Sequence, residues 1–298
     1  MAEFGNREMR GVIPPMITPF KKDGDLDKVA VRELVSFLKK RVHGLFVAGT
    51  YGCGPLMSVE ERKELLELVM EEAGKEIQVC VHIGSTSTKD ALDLGMHAAK
   101  LGVVGVASVP PYYFHYSEQD VEAYFETLIG EIPVPFYFYN NPATTHFSAS
   151  SALIARLARK GLKGIKDSSF DILTFYSFVC DVQEEGFHFI IGSEALIVPA
   201  RLLGARGTIA GLANCLPEEI TALWQAAEAN DTYTSSELQK RVLKIRQIYK
   251  SGPTLALIHR TLRERGVNAG YPRAPFRDVS DEQWSAFKSK LRDFGGGV

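Results

Sequence analysis

The sequence predicts an α/β protein, a (β/α)8 TIM barrel with a C-terminal helical extension, and three observations predict this fold. Eight short apolar or β-branched segments recur along the chain, and a loop and a longer amphipathic segment follow most of them. These apolar segments do not alternate with polar residues, which is typical of parallel strands covered on both faces. No GxGxxG follows the first segment, which favours a barrel over an open dinucleotide-binding sheet.

The strands are predicted from the apolar segments, each bounded by Gly, Ser, Thr, Pro or Asn. The eight segments begin at Gly11, His43, Ile77, Val104, Val134, Leu162, Phe187 and Ala205. Helical patterns fill the gaps between them. The second helical pattern has Ser58 and Glu61 at the spacing of a capping box and ends near Gly74. The first should bury one face, formed by Val29, Leu34, Val35 and Leu38.

The chain beyond Asn214 is wholly helical in pattern. Helices are predicted to start at Pro217, Ser235, Pro253 and Asp281. No Ser- or Gly-rich linker separates this part from the barrel. We therefore predict a barrel over residues 1–216 that carries the active site, and a helical extension over residues 217–298 packed on it.

The composition is that of an ordinary globular protein, with 298 residues, 45% hydrophobic and 23% charged. A formal charge of −2 gives no basic face for nucleic acid or anionic lipid. No apolar run approaches the ~20 residues that cross a membrane. The four cysteines form no CxxC pair, which argues against a zinc site or a disulfide framework. We expect a soluble, cytoplasmic protein that binds neither nucleic acid nor membrane.

Active sites of such barrels lie at the carboxyl ends of the strands. The predicted strand ends are rich in hydroxyls and glycines and poor in carboxylates and histidines. No pair of acids suits a glycosidase, and no His/Asp/Glu cluster suits a metal. His82 is a lone histidine and is predicted to be a hydrogen-bonded core residue. Cys53 has no cation or histidine beside it in the sequence and is predicted to fill its loop.

The stretch GLKGIKDSSF places a lysine, Lys166, at the end of the sixth predicted strand. The amine could reach the surface, pair with Asp167 or act as a nucleophile. Adjacent strand residues point to opposite faces, which weakens the ion pair. Burial would lower the pKa of the amine, and a neutral amine can attack a ketone to form an imine. Tyr139, one strand earlier, is well placed to transfer protons.

Four ordered motifs, GTYGCGP, PPYY, YNNP and GIKDSS, each at a predicted strand end, resemble the N-acetylneuraminate lyase and dihydrodipicolinate synthase superfamily. The resemblance covers nearly the whole chain. It implies a class I pyruvate-dependent aldolase or lyase on a (β/α)8 barrel with added C-terminal helices. It also implies pyruvate and an aldehyde as substrates, no metal or other cofactor, and a homo-oligomer, a tetramer built as a dimer of dimers.

The resemblance assigns catalytic roles residue by residue. Lys166 matches the lysine that forms the imine with pyruvate, and Tyr139 matches the tyrosine that moves protons. Thr50 matches the hydroxyl residue that links this tyrosine to a second tyrosine lent by a neighbouring subunit. Tyr113 matches the lent tyrosine.

The resemblance also assigns substrate contacts. Gly49, Thr50 and Tyr51 match the turn whose backbone N–H groups hold the pyruvate carboxylate. Gly192 and Ile209 match positions that line the pyruvate pocket.

The departures from the superfamily pattern concern the second substrate. Dihydrodipicolinate synthases carry an arginine where this chain has Thr144, and a hydroxyl does not replace a bidentate carboxylate clamp. The run GCGPLMSVEER resembles 2-keto-3-deoxygluconate aldolases, so we expect cleavage of a 2-keto-3-deoxy sugar acid to pyruvate and an aldehyde such as glyceraldehyde.

Other activities stay open. The substrate could be a sialic acid or 4-hydroxy-2-oxoglutarate, and the aromatic Tyr51 suits an aromatic hydratase-aldolase. A dihydrodipicolinate synthase-like lyase is a further alternative. A barrel that binds a ligand without catalysis is the alternative from another functional class.

Overall fold

Eight parallel strands form the centre of the part of the chain that the computed structural model describes, residues 8–294. The outer ends of both predicted units, residues 1–7 and 295–298, lie outside this part. All eight predicted strands are confirmed. They are β1 (Gly11–Val12), β2 (Gly44–Val47), β3 (Gln78–His82), β4 (Gly105–Ser108), β5 (Phe136–Asn140), β6 (Gly164–Asp167), β7 (His188–Ile191) and β8 (Gly207–Thr208).

The strands follow one another around a barrel, in the order β1-β8-β7-β6-β5-β4-β3-β2. A parallel bridge between Pro15 and Phe46 joins the two ends of this sheet. There the Met16 N–H donates to the Phe46 carbonyl at 2.9 Å, and the Phe46 N–H donates to the Pro14 carbonyl at 3.0 Å. The predicted (β/α)8 barrel is therefore confirmed.

Helices alternate with the strands and then continue beyond the barrel. Those between strands are α1 (Lys28–Leu38), α2 (Val59–Ala73), α3 (Thr88–Leu101), α4 (Glu118–Glu131), α5 (Pro142–Thr145), α6 (Ser151–Arg159), α7 (Ile172–Asp181) and α8 (Ile197–Leu202). Those after β8 are α9 (Pro217–Glu228), α10 (Thr232–Lys250), α11 (Thr254–Glu264) and α12 (Asp281–Asp293). None of these helices is long and apolar enough to cross a bilayer.

Side chains of the strands alternate between the barrel interior and the layer beneath the helices. On β5, Tyr137 and Tyr139 belong to the interior cluster together with Phe46. Phe138 points the other way and stacks on Phe125 of α4, with ring centroids 4.3 Å apart. Two buried layers therefore hold the barrel, and the inner layer continues into the carboxyl end of the strands.

Two details of the predicted helices are wrong. Val29 is 62% exposed, whereas Ala30 and Val31 are buried. At 100° per residue, a face centred on Ala30, Val31 and Leu34 turns Val29 toward solvent. Helix α10 starts three residues before the predicted Ser235, because the Asp231 side chain caps it by accepting from the Thr234 N–H at 3.0 Å.

The predicted start of α2 is confirmed. The Ser58 side chain accepts from the Glu61 N–H at 3.1 Å, and the Glu61 carboxylate accepts from the Ser58 N–H at 2.8 Å. This reciprocal pair satisfies two of the amide groups that the first turn of a helix leaves without partners. The helix ends before Gly74, as predicted.

The helices after β8 pack onto the barrel through α9 and α10. Helix α9 contacts α8 and β1, and α10 contacts α9 and the short turn after β7. Gln239 of α10 anchors this contact: its amide donates to the Glu194 carbonyl at 2.9 Å and accepts from the Val198 N–H at 3.1 Å. As a result, the last turn of α10 lies at the mouth of the barrel.

Candidate active site

Lys166 and Tyr139 lie side by side inside the barrel. Strand pairing sets Tyr139 of β5 opposite Lys166 of β6, and Lys166 opposite Ile190 of β7. Lys166 is 3% exposed. The adjacent Asp167 accepts from the Asn140 amide at 2.7 Å and from the Ser169 hydroxyl at 2.7 Å. Within residues 8–294, no salt bridge joins Lys166 to a carboxylate, so the surface and ion-pair explanations of this lysine are wrong.

The Lys166 amine is enclosed by aromatic rings instead. Its Nζ lies 3.6 Å from the centre of the Tyr139 ring and 4.1 Å from that of Phe46. Aromatic faces attract a cation, but far less than water solvates it. Desolvation by burial accordingly lowers the pKa of Lys166, and Tyr139 only partly opposes this shift. A neutral, nucleophilic amine is therefore accessible below the ordinary pKa of lysine.

The Tyr139 hydroxyl lies in a small polar network. It is 3.2 Å from the Thr50 hydroxyl, and the Asn141 amide donates to it at 3.2 Å. Burial by itself raises the pKa of Tyr139, but Lys166 and hydrogen bonds from Thr50, Lys166 and Ser168 outweigh it. The pKa of Tyr139 is lowered, which makes the phenol a suitable group to give and take protons.

The turn after β2 approaches this network closely. Ala48 and Cys53 have left-handed backbone conformations, with φ of 56° and 54°. A Cβ at Gly54 would lie 1.9 Å from the Ala48 carbonyl oxygen, so only glycine fits this turn. The N–H groups of Thr50 and Tyr51 make no hydrogen bond within residues 8–294. They are free to bind a carboxylate.

A cavity of about 210 Å³ opens above Lys166. Seven of the nine sequence-predicted site residues line it: Thr50, Tyr51, Tyr139, Thr144, Lys166, Gly192 and Ile209. Gly49 is buried beneath the turn and does not line the cavity. A Cβ at Gly49 would lie 2.6 Å from the Phe46 ring, so this glycine leaves room for Phe46 to lie against Lys166.

Tyr113 lies outside this cavity. It is 82% exposed, has φ of 86°, and its ring contacts Phe114 edge-on with centroids 5.1 Å apart. Within one subunit, the structure therefore does not bring Tyr113 to Thr50 or Tyr139.

Sequence reasoning missed four polar or charged residues that line the cavity: Asn141, Glu194, Arg246 and Lys250. Asn141 was visible inside the YNNP motif, and Glu194 follows Gly192 by two positions. Arg246 and Lys250 lie in α10, far from any strand end, and no local signal marks them. Glu194 accepts from the Gly211 N–H at 3.0 Å and pairs with Arg246 at 3.2 Å.

The two other residues considered in the sequence, His82 and Cys53, are structural. His82 is buried, its Nδ1 lies 3.2 Å from the Ala48 carbonyl, and desolvation holds its pKa well below the usual value. Burial raises the pKa of the Cys53 thiol to about 11, which suppresses the thiolate. His115 and His146 are exposed, with ring centres 5.6 Å apart. Residues 8–294 contain no group of three or more potential metal ligands placed together.

The lowered pKa of Lys166 predicts a specific pH profile of its reactivity. Competitive labelling with acetic anhydride, mapped by mass spectrometry, should give Lys166 an inflection below the ~10.4 of a free lysine. Only the neutral amine reacts, so a lower pKa moves the rise in labelling to lower pH. Nα-acetyl-lysine in the same tube controls for reagent loss. An inflection at or above the value of this free amine would contradict the assignment.

Comparison with known proteins places the chain in a family. Residues 8–293 match the dihydrodipicolinate synthetase family. An uncharacterized DapA-like lyase of Halobacterium salinarum is 31% identical over 96% of this chain and 94% of its own. A probable 2-dehydro-3-deoxy-D-pentonate aldolase of Escherichia coli K12 is 30% identical over 93% and 94%.

Solved structures agree with the sequence relatives. YagE, a prophage protein of the dihydrodipicolinic acid synthase family from E. coli K12 in complex with pyruvate, superimposes with a TM-score of 0.91. It is 26% identical, and the match covers 96% of this chain and 99% of YagE. The chain therefore belongs to the dihydrodipicolinate synthetase family and is a carbon–carbon lyase of the pyruvate-dependent class I aldolase type.

Proposed function

We propose that this protein cleaves a 2-keto-3-deoxy sugar acid to pyruvate and an aldehyde such as glyceraldehyde, through an imine on Lys166. The observation that carries the proposal is the buried Lys166 amine, which has no carboxylate partner within residues 8–294 and lies against Tyr139. The relative that is a probable 2-dehydro-3-deoxy-D-pentonate aldolase supports this substrate class.

The reaction starts with formation of the imine. The neutral Lys166 Nζ attacks the C2 carbonyl of the keto acid, and the resulting carbinolamine takes up a proton from solvent and loses water to give a protonated imine. The N–H groups of Thr50 and Tyr51 bind the carboxylate next to C2, which aligns the carbonyl with the amine.

Cleavage then uses the imine as an electron sink. Tyr139, as its phenolate, takes the proton of the C4 hydroxyl, the C3–C4 bond breaks, and the electron pair of that bond moves through C2 into the imine nitrogen. The aldehyde leaves, and an enamine remains on Lys166. Tyr139 returns a proton to C3, and water hydrolyses the imine to release pyruvate. Thr50 and Asn141 hold the phenol in position for both transfers.

The second substrate is recognised at the rim. Thr144 presents a hydroxyl where a dihydrodipicolinate synthase carries an arginine, and its hydroxyl donates to the Asn141 carbonyl at 3.2 Å. A hydroxyl at this point suits the hydroxyl groups of a sugar acid better than a second carboxylate. Ser168 adds another hydroxyl to the same cavity.

The protein is also proposed to work as a homotetramer, a dimer of dimers. Tyr113 supports this proposal because it is exposed in one subunit and lies away from that subunit's own cavity. In an oligomer the ring would complete the proton path of the neighbouring subunit through Thr50.

Trapping with borohydride tests the imine. Intact-mass analysis after incubation with pyruvate and borohydride should show one reduced adduct, mapped to Lys166. The Lys166→Ala variant should show none, because the nucleophile is gone, and Lys163→Ala, on the same segment outside the cavity, should keep it. A folded wild-type protein that forms no adduct would favour a barrel that binds a ligand without catalysis.

Replacing Tyr139 separates imine formation from proton transfer. We expect Tyr139→Phe to be trapped by borohydride as before but to cleave 2-keto-3-deoxygluconate about 10²–10⁴-fold more slowly, the usual contribution of a general acid or base. Pyruvate release coupled to lactate dehydrogenase measures the rate. Tyr137→Phe, two residues earlier on β5, is the matched control and should turn over normally. Equal rates for both variants would remove Tyr139 from the mechanism.

If Tyr113 contributes its hydroxyl to the active site of a neighbouring subunit, activity should depend on formation of the oligomer. Light scattering should report a tetramer, and Tyr113→Phe should keep that mass while lowering turnover, since only the hydroxyl is lost. Phe114→Leu, the neighbouring exposed ring, controls for changes in the surface. A fully active monomer would disprove the role of Tyr113.

A further inference from the structure

Two cations of helix α10 face the candidate active site. Arg246 and Lys250 are four residues apart, which places them on one face of the helix. Both line the cavity above Lys166. Like charges at this spacing repel each other, and a nearby anion offsets this repulsion.

Only one of the two cations has such a counter-charge. The Arg246 guanidinium pairs with the buried Glu194 at 3.2 Å and lies 5.5 Å from the Phe170 ring. The Lys250 ammonium group makes no hydrogen bond or ion pair with any residue in the described range 8–294. Desolvation, followed by the charge of Arg246, lowers the pKa of Lys250, and Glu194 only partly opposes this. Of the two α10 cations, Lys250 is therefore the one that has no anionic partner among residues 8–294.

Lys250 also occupies a particular place along the cavity. It lines both the inner cavity and an outer cavity of about 540 Å³, and among residues 8–294 only Thr50 and Tyr51 share this property. Lys166 and Tyr139 line the inner cavity but not the outer one. A substrate that extends from the carbons bound at Lys166 toward solvent must therefore pass Lys250.

The outer cavity carries the same sign of charge. Arg277 is exposed on its wall, and the acid beside it, Asp278, is already paired with Arg263 at 2.6 Å. The far end of a bound substrate would accordingly meet Lys250 and Arg277 rather than a free carboxylate.

We propose that Lys250 binds an anionic group, a carboxylate or a phosphate, at the far end of the aldehyde half of the substrate. This inference rests on the proposed function and refines its substrate class. Because Thr144 carries a hydroxyl, the segment after β5 offers no charged side chain for an anionic group of the substrate. Lys250, the last residue of α10, supplies the positive charge instead. The pyruvate carboxylate is bound by the N–H groups of Thr50 and Tyr51 and does not need Lys250.

Two pairs of aldehydes test this in the direction of synthesis. D-glyceraldehyde 3-phosphate is compared with D-glyceraldehyde, and 4-oxobutanoate with butanal, by following pyruvate consumption. The wild-type protein should have a higher kcat/KM for the charged member of at least one pair. Lys250→Met should reduce that preference at least about tenfold, the effect of losing one charge-assisted contact. Lys250→Arg should restore part of it.

Lys244→Met is the matched control. Lys244 is an exposed lysine of the same helix that lines neither cavity, so its loss changes the net charge equally and should leave the preference intact. The pair that shows the loss identifies phosphate or carboxylate as the bound group. Equal kcat/KM within both wild-type pairs, or a preference retained in Lys250→Met, would overturn the inference.

Trapping with pyruvate and borohydride separates this inference from the proposed function. Lys250→Met should need the same pyruvate concentration for half-maximal trapping on Lys166 as the wild type. A higher requirement would assign Lys250 to the pyruvate carboxylate and overturn the inference, while leaving the imine mechanism intact. Absence of trapping in the wild type would instead overturn the proposed function and, with it, this inference.

Discussion

The burial of an amine without a carboxylate is the interaction on which the rest of this site depends. Lys166 is 3% exposed and has aromatic rings on two sides. A carboxylate in contact would keep the amine protonated and unreactive, whereas rings stabilise the cation only weakly. The barrel therefore has to hold the rings of Phe46 and Tyr139 beside the amine. Gly49 has no side chain, which leaves room for the Phe46 ring at this position.

Closure of the barrel and the register of its strands place Lys166, Tyr139 and Phe46 at the same level along the barrel axis. The register of β5, β6 and β7 aligns Tyr139 with Lys166 and Ile190. The bridge between Pro15 and Phe46, which closes the sheet, fixes the position of Phe46 on β2. Since side chains alternate along a strand, a slip of one residue in β6 would turn Asp167 inward and Lys166 outward. The packing of the barrel and the chemistry of the site are thus one constraint.

Much of the fold and the centre of the site could be predicted from local signals. Continuous apolar segments located all eight strands, and Lys166 and Tyr139 stand out because polar groups are rare in such segments. The exposed Val29 shows the limit of such patterns, since an apolar residue can belong to either of two overlapping helical faces. Asn141 lay inside a quoted motif, but its contact with the Tyr139 hydroxyl depends on how the turn folds back.

The order of strands and helices, and the lysine and tyrosine of the proposed chemistry, could be predicted without the structure, because each follows from residues adjacent along the chain. The inclusion of Arg246 and Lys250 in the site depends only on tertiary packing. Arg246 lies 80 positions beyond Lys166, and the docking of α10 on the turn after β7 brings it to the cavity. Such contacts depend on how whole helices pack, and no short stretch of sequence encodes that.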